Sequence, residues 1–139
     1  MQVYFAMPTT YYNDPKMEKD VELLEKLGYE AYVPNSPKDE SEYKAHGMQH
    51  FFSLIANYGF NALFFRSFAN KMISKGVAGE IKAAFDVGLP VCEVLDDLNP
   101  CIFDISRLEN RELTIDQTRH FLKTINNTQN LDGLGRIEL

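Results

Sequence analysis

The chain reads as a single α/β domain built on a parallel sheet, and three observations predict it. Apolar β-forming runs at residues 2–6, 29–33, 61–65 and 91–94 alternate with stretches of helical periodicity, the order expected of a parallel sheet covered by helices on both faces. The first run is rich in β-formers throughout, as a strand buried on both faces requires. Finally, 139 residues suffice for one compact core and are too few for two ordinary domains. Together these point to a doubly wound parallel sheet of four to five strands, a flavodoxin-like or Rossmann-like three-layer sandwich spanning residues 1–139.

The first strand, Gln2 to Ala6, ends at the loop Met7-Pro8-Thr9-Thr10-Tyr11-Tyr12-Asn13. Asp14-Pro15 then supplies an N-cap and a proline at the first helical position, and Met17, Val21, Leu24 and Leu27 recur at helical spacing until Gly28. Tyr29 to Val33 forms a second strand ended by Pro34. The polar stretch opened by Asn35-Ser36-Pro37 is expected to be exposed and mobile. Met48, Phe51, Phe52 and Ile55 make an apolar stripe on a helix from about Tyr43 to Tyr58, weakened at its start by Gly47 and stopped by Gly59.

Asn61 to Phe65 is the third strand, and the loop from Arg66 to Ile73 leads to a helix opened by Ser74-Lys75-Gly76-Val77-Ala78-Gly79-Glu80. Its apolar face carries Val77, Ile81, Ala84 and Phe85, and Gly88 ends it. A fourth strand lies within Pro90 to Leu95, followed by Asp96-Asp97, and Cys101 to Ile105 reads as a fifth strand or an irregular edge. Thr114-Ile115-Asp116-Gln117 is a capping box for a last helix reaching about Ile125, with a polar tail from Asn126 expected to pack loosely unless a neighbour holds it.

A net charge of −6 argues against a broad nucleic-acid interface, although a local cluster of Arg66, Lys71 and Lys75 is a candidate site for a small anion. No apolar run approaches the roughly 18–20 residues that span a bilayer, and the N-terminal residues lack a signal-peptide pattern, so a cytoplasmic protein that binds no membrane is expected. Cys92 and Cys101, in apolar segments, read as free buried thiols. His46 and His50 have the i, i+4 spacing of helix metal ligands, yet no third ligand is evident. No metal or cofactor is therefore expected. A phosphorylatable aspartate after the third strand, a P-loop and a GxGxxG fingerprint are all absent, and Thr9-Thr10 lacks the glycine of a flavin phosphate loop.

In a doubly wound sheet the ligand crevice lies beyond the carboxyl ends of the strands, where strand order reverses. That rule brings together residues 7–14, residues 66–76 and Asp96-Asp97, with the Ser74–Glu80 segment facing the first loop. A helix starting there presents its first N–H groups, which favour anions.

The blocks Val3-Tyr4-Phe5-Ala6-Met7-Pro8-Thr9-Thr10, Gly28-Tyr29-Glu30-Ala31-Tyr32-Val33-Pro34, Asn61-Ala62-Leu63-Phe64-Phe65, Ser74-x-Gly76-Val77-x-Gly79-Glu80-Ile81 and Gly88-Leu89-Pro90-Val91, in this order, resemble the nucleoside 2-deoxyribosyltransferase superfamily over about residues 1–95. Within it the chain is most similar to the branch of 5′-monophosphate N-glycosidases, in which a serine stands six residues before the catalytic glutamate. The resemblance implies cleavage or exchange of the N-glycosidic bond of a nucleoside or nucleoside 5′-monophosphate, with Glu80 as the nucleophile at the anomeric carbon. It implies that Ser74 contacts phosphate, that Tyr4, Thr9, Thr10, Gly76 and Gly79 belong to the substrate pocket, and that a homodimer or larger oligomer forms, a neighbour's C-terminal region completing each pocket.

The chain departs from the family at Met7, where a glycine is usual, at Pro8 and Thr10, where the monophosphate branch carries hydroxyl and basic residues, and at Asn61, where an aspartate is usual. The upstream helix aspartate has no clear equivalent. A departing base needs a proton, and by position the candidate donors are His50 and Asp96. These departures also admit a non-catalytic nucleotide-binding module, or an assembly protein that retains only the fold.

Overall fold

The computed structural model describes the backbone of residues 1–12, 14–96 and 100–132, and the side chains of these as far as Lys123. Five strands form one sheet in the order β2-β1-β3-β4-β5. They are β1 (Gln2–Ala6), β2 (Glu30–Tyr32), β3 (Ala62–Phe65), β4 (Val91–Glu93) and β5 (Cys101–Ile102). The first four run parallel; β5 is a two-residue antiparallel edge against β4. Six helices accompany them: α1 (Pro15–Lys26), α2 (Pro37–His46), α3 (Gln49–Asn57), α4 (Lys75–Asp86), α5 (Leu108–Arg111) and α6 (Ile115–Asp132).

Alternation along the strands sorts the core into two layers. Val3 and Phe5 of β1 and Phe64 of β3 pack with Leu24 of α1 on one face. Tyr4 and Ala6 of β1 and Leu63 and Phe65 of β3 pack with Ile55 of α3 and Val77 and Ile81 of α4 on the other. All eight of these strand and α1 residues, and the three on α3 and α4, are buried, so both faces of the central strands are covered and their continuous apolar character has its physical cause. The layered α/β arrangement is that of a three-layer sandwich.

Local signals explain most boundaries. The Asp14 carboxylate accepts from the Lys16 N–H at 2.8 Å and Pro15 opens α1. At the start of α6, Thr114 and Gln117 satisfy each other's backbone N–H at 3.1 and 2.9 Å, the expected capping box.

Other expectations fail. The polar stretch after Pro34 is helix α2, opened by a complete capping box in which Ser36 and Asp39 cap each other. The single helix expected over Tyr43 to Tyr58 is therefore two, broken at Gly47, whose φ of +65° belongs to a region that side chains rarely enter. The possible fifth strand over Cys101 to Ile105 ends at Ile102, and a 3-10 turn begins at Ile105. Cys101 is exposed on that edge and Cys92 half-buried, so the two free thiols are not both buried. Helix α6 continues through Asp132, past its expected end near Ile125, and residues 133–139 of the tail lie outside the described residues. No helix among the described residues is long and apolar enough to cross a membrane.

Candidate functional site

The strand order reverses between β1 and β3: the chain leaves β1 for α1 on one face and leaves β3 for α4 on the other. A cavity of about 440 Å³ opens beyond the carboxyl ends of these strands. Met7, Thr9 and Tyr12 after β1 form one wall. Asn35, Tyr43 and Phe51, carried by the segment from β2 through α3, form a second. The first turns of α4 contribute Ser74, Gly76 and Glu80, and α6 of the same chain closes the space with Thr118 and Leu122.

Glu80 is 6% exposed, at the crevice end of the buried layer between α4 and β1. The Tyr4 hydroxyl donates a short hydrogen bond to its carboxylate. Tyr4 is itself fully buried, with Phe60 edge-on to its ring at 5.5 Å and Tyr32 at 6.1 Å, so neither the ring nor the hydroxyl has room to turn away. Burial pushes the Glu80 carboxyl up to about 7, and the Tyr4 hydrogen bond opposes that rise without cancelling it. Burial and the neighbouring Glu80 together hold the Tyr4 phenol well above its ordinary value. The result is a water-poor carboxyl group oriented by one fixed donor and titrating near neutrality.

Ser74 is the N-cap of α4, its Oγ accepting from the Val77 N–H at 3.3 Å, and it also lines the crevice. The expected anion site at this helix start is largely filled by the chain itself. The Lys75 N–H donates to the Thr118 Oγ1 of α6 at 3.0 Å, and the Val77 N–H is the one taken by the Ser74 hydroxyl.

Several other residues singled out in the sequence lie elsewhere. Tyr4 is not among the crevice-lining residues and stands behind Glu80, to which its hydroxyl donates. Gly79 serves packing: a Cβ there would come within 2.9 Å of the Phe52 ring on α3, so its missing side chain lets two helices approach. Gly76 does line the crevice. Thr9 lines it too, whereas Thr10 does not, and its Oγ1 is buried without a hydrogen-bond partner.

Neither expected proton donor faces the crevice. His50 Nε2 lies 2.9 Å from the Asp39 carboxylate. Asp96 accepts from Arg66 at 2.9 Å and from Lys16 at 3.2 Å; burial alone would raise its pKa, but these two cations hold it below the usual carboxylate range, which makes it an anion and a poor acid. Asn61 caps the opposite end of the sheet, where its Oδ1 accepts from the Gln2 N–H.

The expected cluster of Arg66, Lys71 and Lys75 does not converge. The Arg66 guanidinium is buried and grips Asp20 of α1, Lys75 pairs with Glu112 at 3.0 Å, and Lys71 is exposed in a turn where its φ is +72°.

Beside the crevice lies a buried carboxylate that apolar periodicity does not reveal. Asp39, 2% exposed on α2, accepts from the Tyr32 hydroxyl at 2.7 Å and the Ser36 hydroxyl at 2.8 Å and meets His50. Burial would raise its pKa, but the hydrogen bonds from His50, Tyr32 and Ser36 outweigh that and keep it ionised. The signal was present as Ser36-Pro37-Lys38-Asp39, a serine, a proline at the first helical position and an acid three residues on. Thr118 and Leu122 carried no comparable signal, because only the return of α6 across the sheet end brings them in. No group of three or more metal-ligating side chains occurs among the described residues.

Comparison with protein-family models finds none that matches this chain, and a search of curated proteins finds no match either.

Proposed function

We propose that the protein cleaves or exchanges the N-glycosidic bond of a nucleoside or nucleoside 5′-monophosphate, with Glu80 as the nucleophile. One observation carries the reading: the carboxylate of Glu80 stands at the wall of a cavity large enough for a nucleoside, with the Tyr4 hydroxyl fixing one of its oxygens. The oxygen not held by Tyr4 is the one to attack the anomeric carbon as the base departs, and water or a second base then resolves the ester. Removal from water makes the carboxylate a stronger nucleophile in its ionised form. The strand order 2-1-3-4-5 supports a flavodoxin-like assignment with the crevice at its switch point. Ser74, Gly76 and Thr9, which line the cavity, contact the sugar or its 5′ substituent in this reading. A cytoplasmic setting and a homo-oligomer that completes the pocket belong to the same proposal.

The experiment is incubation of wild type and Glu80→Gln with a panel of nucleosides and 5′-monophosphates, free base being measured by chromatography. Release by wild type and a loss of 10²-fold or more in the variant is expected, a size typical of removing a group that acts in the transition state. Equal behaviour of the two proteins on every substrate sinks the enzymatic reading.

A second reading, a nucleotide-binding module without chemistry, is favoured by a specific observation. Among the described lining residues the only carboxyl group besides Glu80 is Glu40, exposed at the rim, and the Tyr12 phenol is held well above its ordinary value by burial and by Glu80, so a ready proton donor for the base is lacking among them. Thermal-shift screening separates the two: stabilisation by ligands with no base released under any condition points to the module.

A further inference from the structure

The charged groups among the described crevice-lining residues have one sign. Glu80 and Glu40 line it, and no lysine, arginine or histidine is among the described lining residues. The nearby cations are turned away and engaged: Lys75 and Lys82 on Glu112, Arg66 on Asp20 and Asp96, Lys16 on Asp96. Lys44 pairs with Glu40 at 3.4 Å, but both side chains are mostly exposed, and such a surface pair is worth little. Asp39 adds a buried anion close behind the wall. Burial, then the neighbouring Glu80 and Asp39, raise the crevice-lining Tyr12 phenol well above its ordinary value. Aromatic faces accompany these acids: Tyr12 on one wall and, on the other, Tyr43 and Phe51 with ring centroids 5.7 Å apart.

We infer that the crevice takes a nucleoside whose base is already cationic, a pyridinium or N-alkylated purine without a 5′-phosphate. The inference rests on the glycosidic reading above and narrows its substrate. A flat cation is attracted both to ring faces and to carboxylates, whereas a phosphate would meet two glutamates, no cation and a helix start whose N–H groups are largely taken by Ser74 and Thr118. It also removes the need for a proton donor. A Glu80 carboxylate oxygen forms the bond to the anomeric carbon as the carbon–nitrogen bond breaks, and the bonding pair returns to the ring nitrogen, whose positive charge it neutralises. The base leaves as a neutral molecule with no proton supplied. Water then attacks the anomeric carbon, its hydroxide staying on the sugar and its proton going to solvent as the Glu80 carboxylate is released.

The test uses four ligands on the full chain: nicotinamide riboside, its neutral carbon-linked isostere benzamide riboside, nicotinamide riboside 5′-phosphate and inosine. Affinities are measured by calorimetry with wild type, each cleavable ligand being represented by its carbocyclic analogue, which keeps the base and its charge and lacks the ring oxygen that assists cleavage; base release is measured with wild type and divided by each uncatalysed rate. The expected result is that nicotinamide riboside binds at least tenfold more tightly than the isostere and than its own phosphate, that Glu40→Gln shrinks this preference, and that rate enhancement is confined to the cationic base. Cation preference without cleavage supports the ligand class and sinks the glycosidic chemistry. Cleavage of inosine with an equal enhancement keeps that chemistry and overturns the inference. Equal affinity for the cation and its isostere, or tighter binding of the phosphate, overturns it as well.

Discussion

Glu80 couples the site to stability. In the unfolded chain its carboxyl returns to about 4.5, against about 7 in the folded protein. A folded value above the unfolded one means the folded state holds the proton more tightly, so the contribution is fully present below about pH 4.5 and is lost as pH rises through about 7. At 1.36 kcal/mol per pK unit the loss amounts to on the order of 3 kcal/mol. Glutamine keeps an acceptor for the Tyr4 hydroxyl and never ionises. Denaturant titrations should therefore show Glu80→Gln gaining stability over wild type between pH 4 and pH 8; a constant difference across that range would mean that Glu80 titrates like an exposed acid. Ser36 and Asp39 carry the local signature of a capping box, although the stretch reads as exposed and mobile. What the pair does beyond capping was not legible, because Tyr32 and His50 reach Asp39 from β2 and α3.

Helix α2 depends on that one carboxylate to a degree its length conceals. Asp39 is its only buried residue, and its partners lie on β2, on α3 and at its own cap. A helix of ten residues with no apolar face has little propensity to stand alone in water. Asp39→Ala removes the acceptor of four donors and leaves the Tyr32 hydroxyl unpaired, a change expected to cost about 2–4 kcal/mol by comparison with other buried charged hydrogen bonds. Hydrogen exchange should locate the loosening in residues 37–46 while leaving α4 protected; uniform loss of protection would place the role of Asp39 in global stability instead. Because α2 carries Glu40 and Tyr43 to the crevice rim, the same variant should weaken ligand binding. The sequence of this helix reads as a mobile polar stretch because apolar periodicity, the usual signal, is silent for an almost wholly polar helix anchored by a carboxylate.

At the scale of the molecule, a charge network outside the crevice lining joins segments distant in sequence. Arg66 after β3 donates to Asp20 on α1 at 2.8 Å and to Asp96 after β4 at 2.9 Å, while Lys16 on α1 also reaches Asp96. Three segments that meet at the carboxyl end of the sheet are thereby tied together. The Arg66 and Asp20 side chains are 9% and 8% exposed, so a variant that removes the guanidinium leaves Asp20 charged and buried. Arg66→Met should cost about 3–5 kcal/mol, the usual range for breaking one partner of a buried pair, and Asp20→Asn combined with it should recover part of the loss. Two additive losses in chemical denaturation would show that the pair is not coupled.

The order of strands and most helices follows from the sequence by itself, because each rests on short-range chemistry: continuous apolar runs for strands buried on both faces, Asp14-Pro15 and Thr114–Gln117 for helix starts, glycine where φ turns positive. The choice of Glu80 and Ser74 rests on the resemblance and on the motif, whose two ends stand six residues apart at the start of one helix. The chain's tertiary structure decided the rest. It turned Arg66 and Lys75 away from the crevice and onto carboxylates distant in sequence, gave Gly79 to helix packing, set Tyr4 on Glu80 across 76 residues and brought α6 over the opening. The physical reason is that a charge or a hydroxyl takes its role from the group it meets, and in this fold the meeting groups come from different strands and helices.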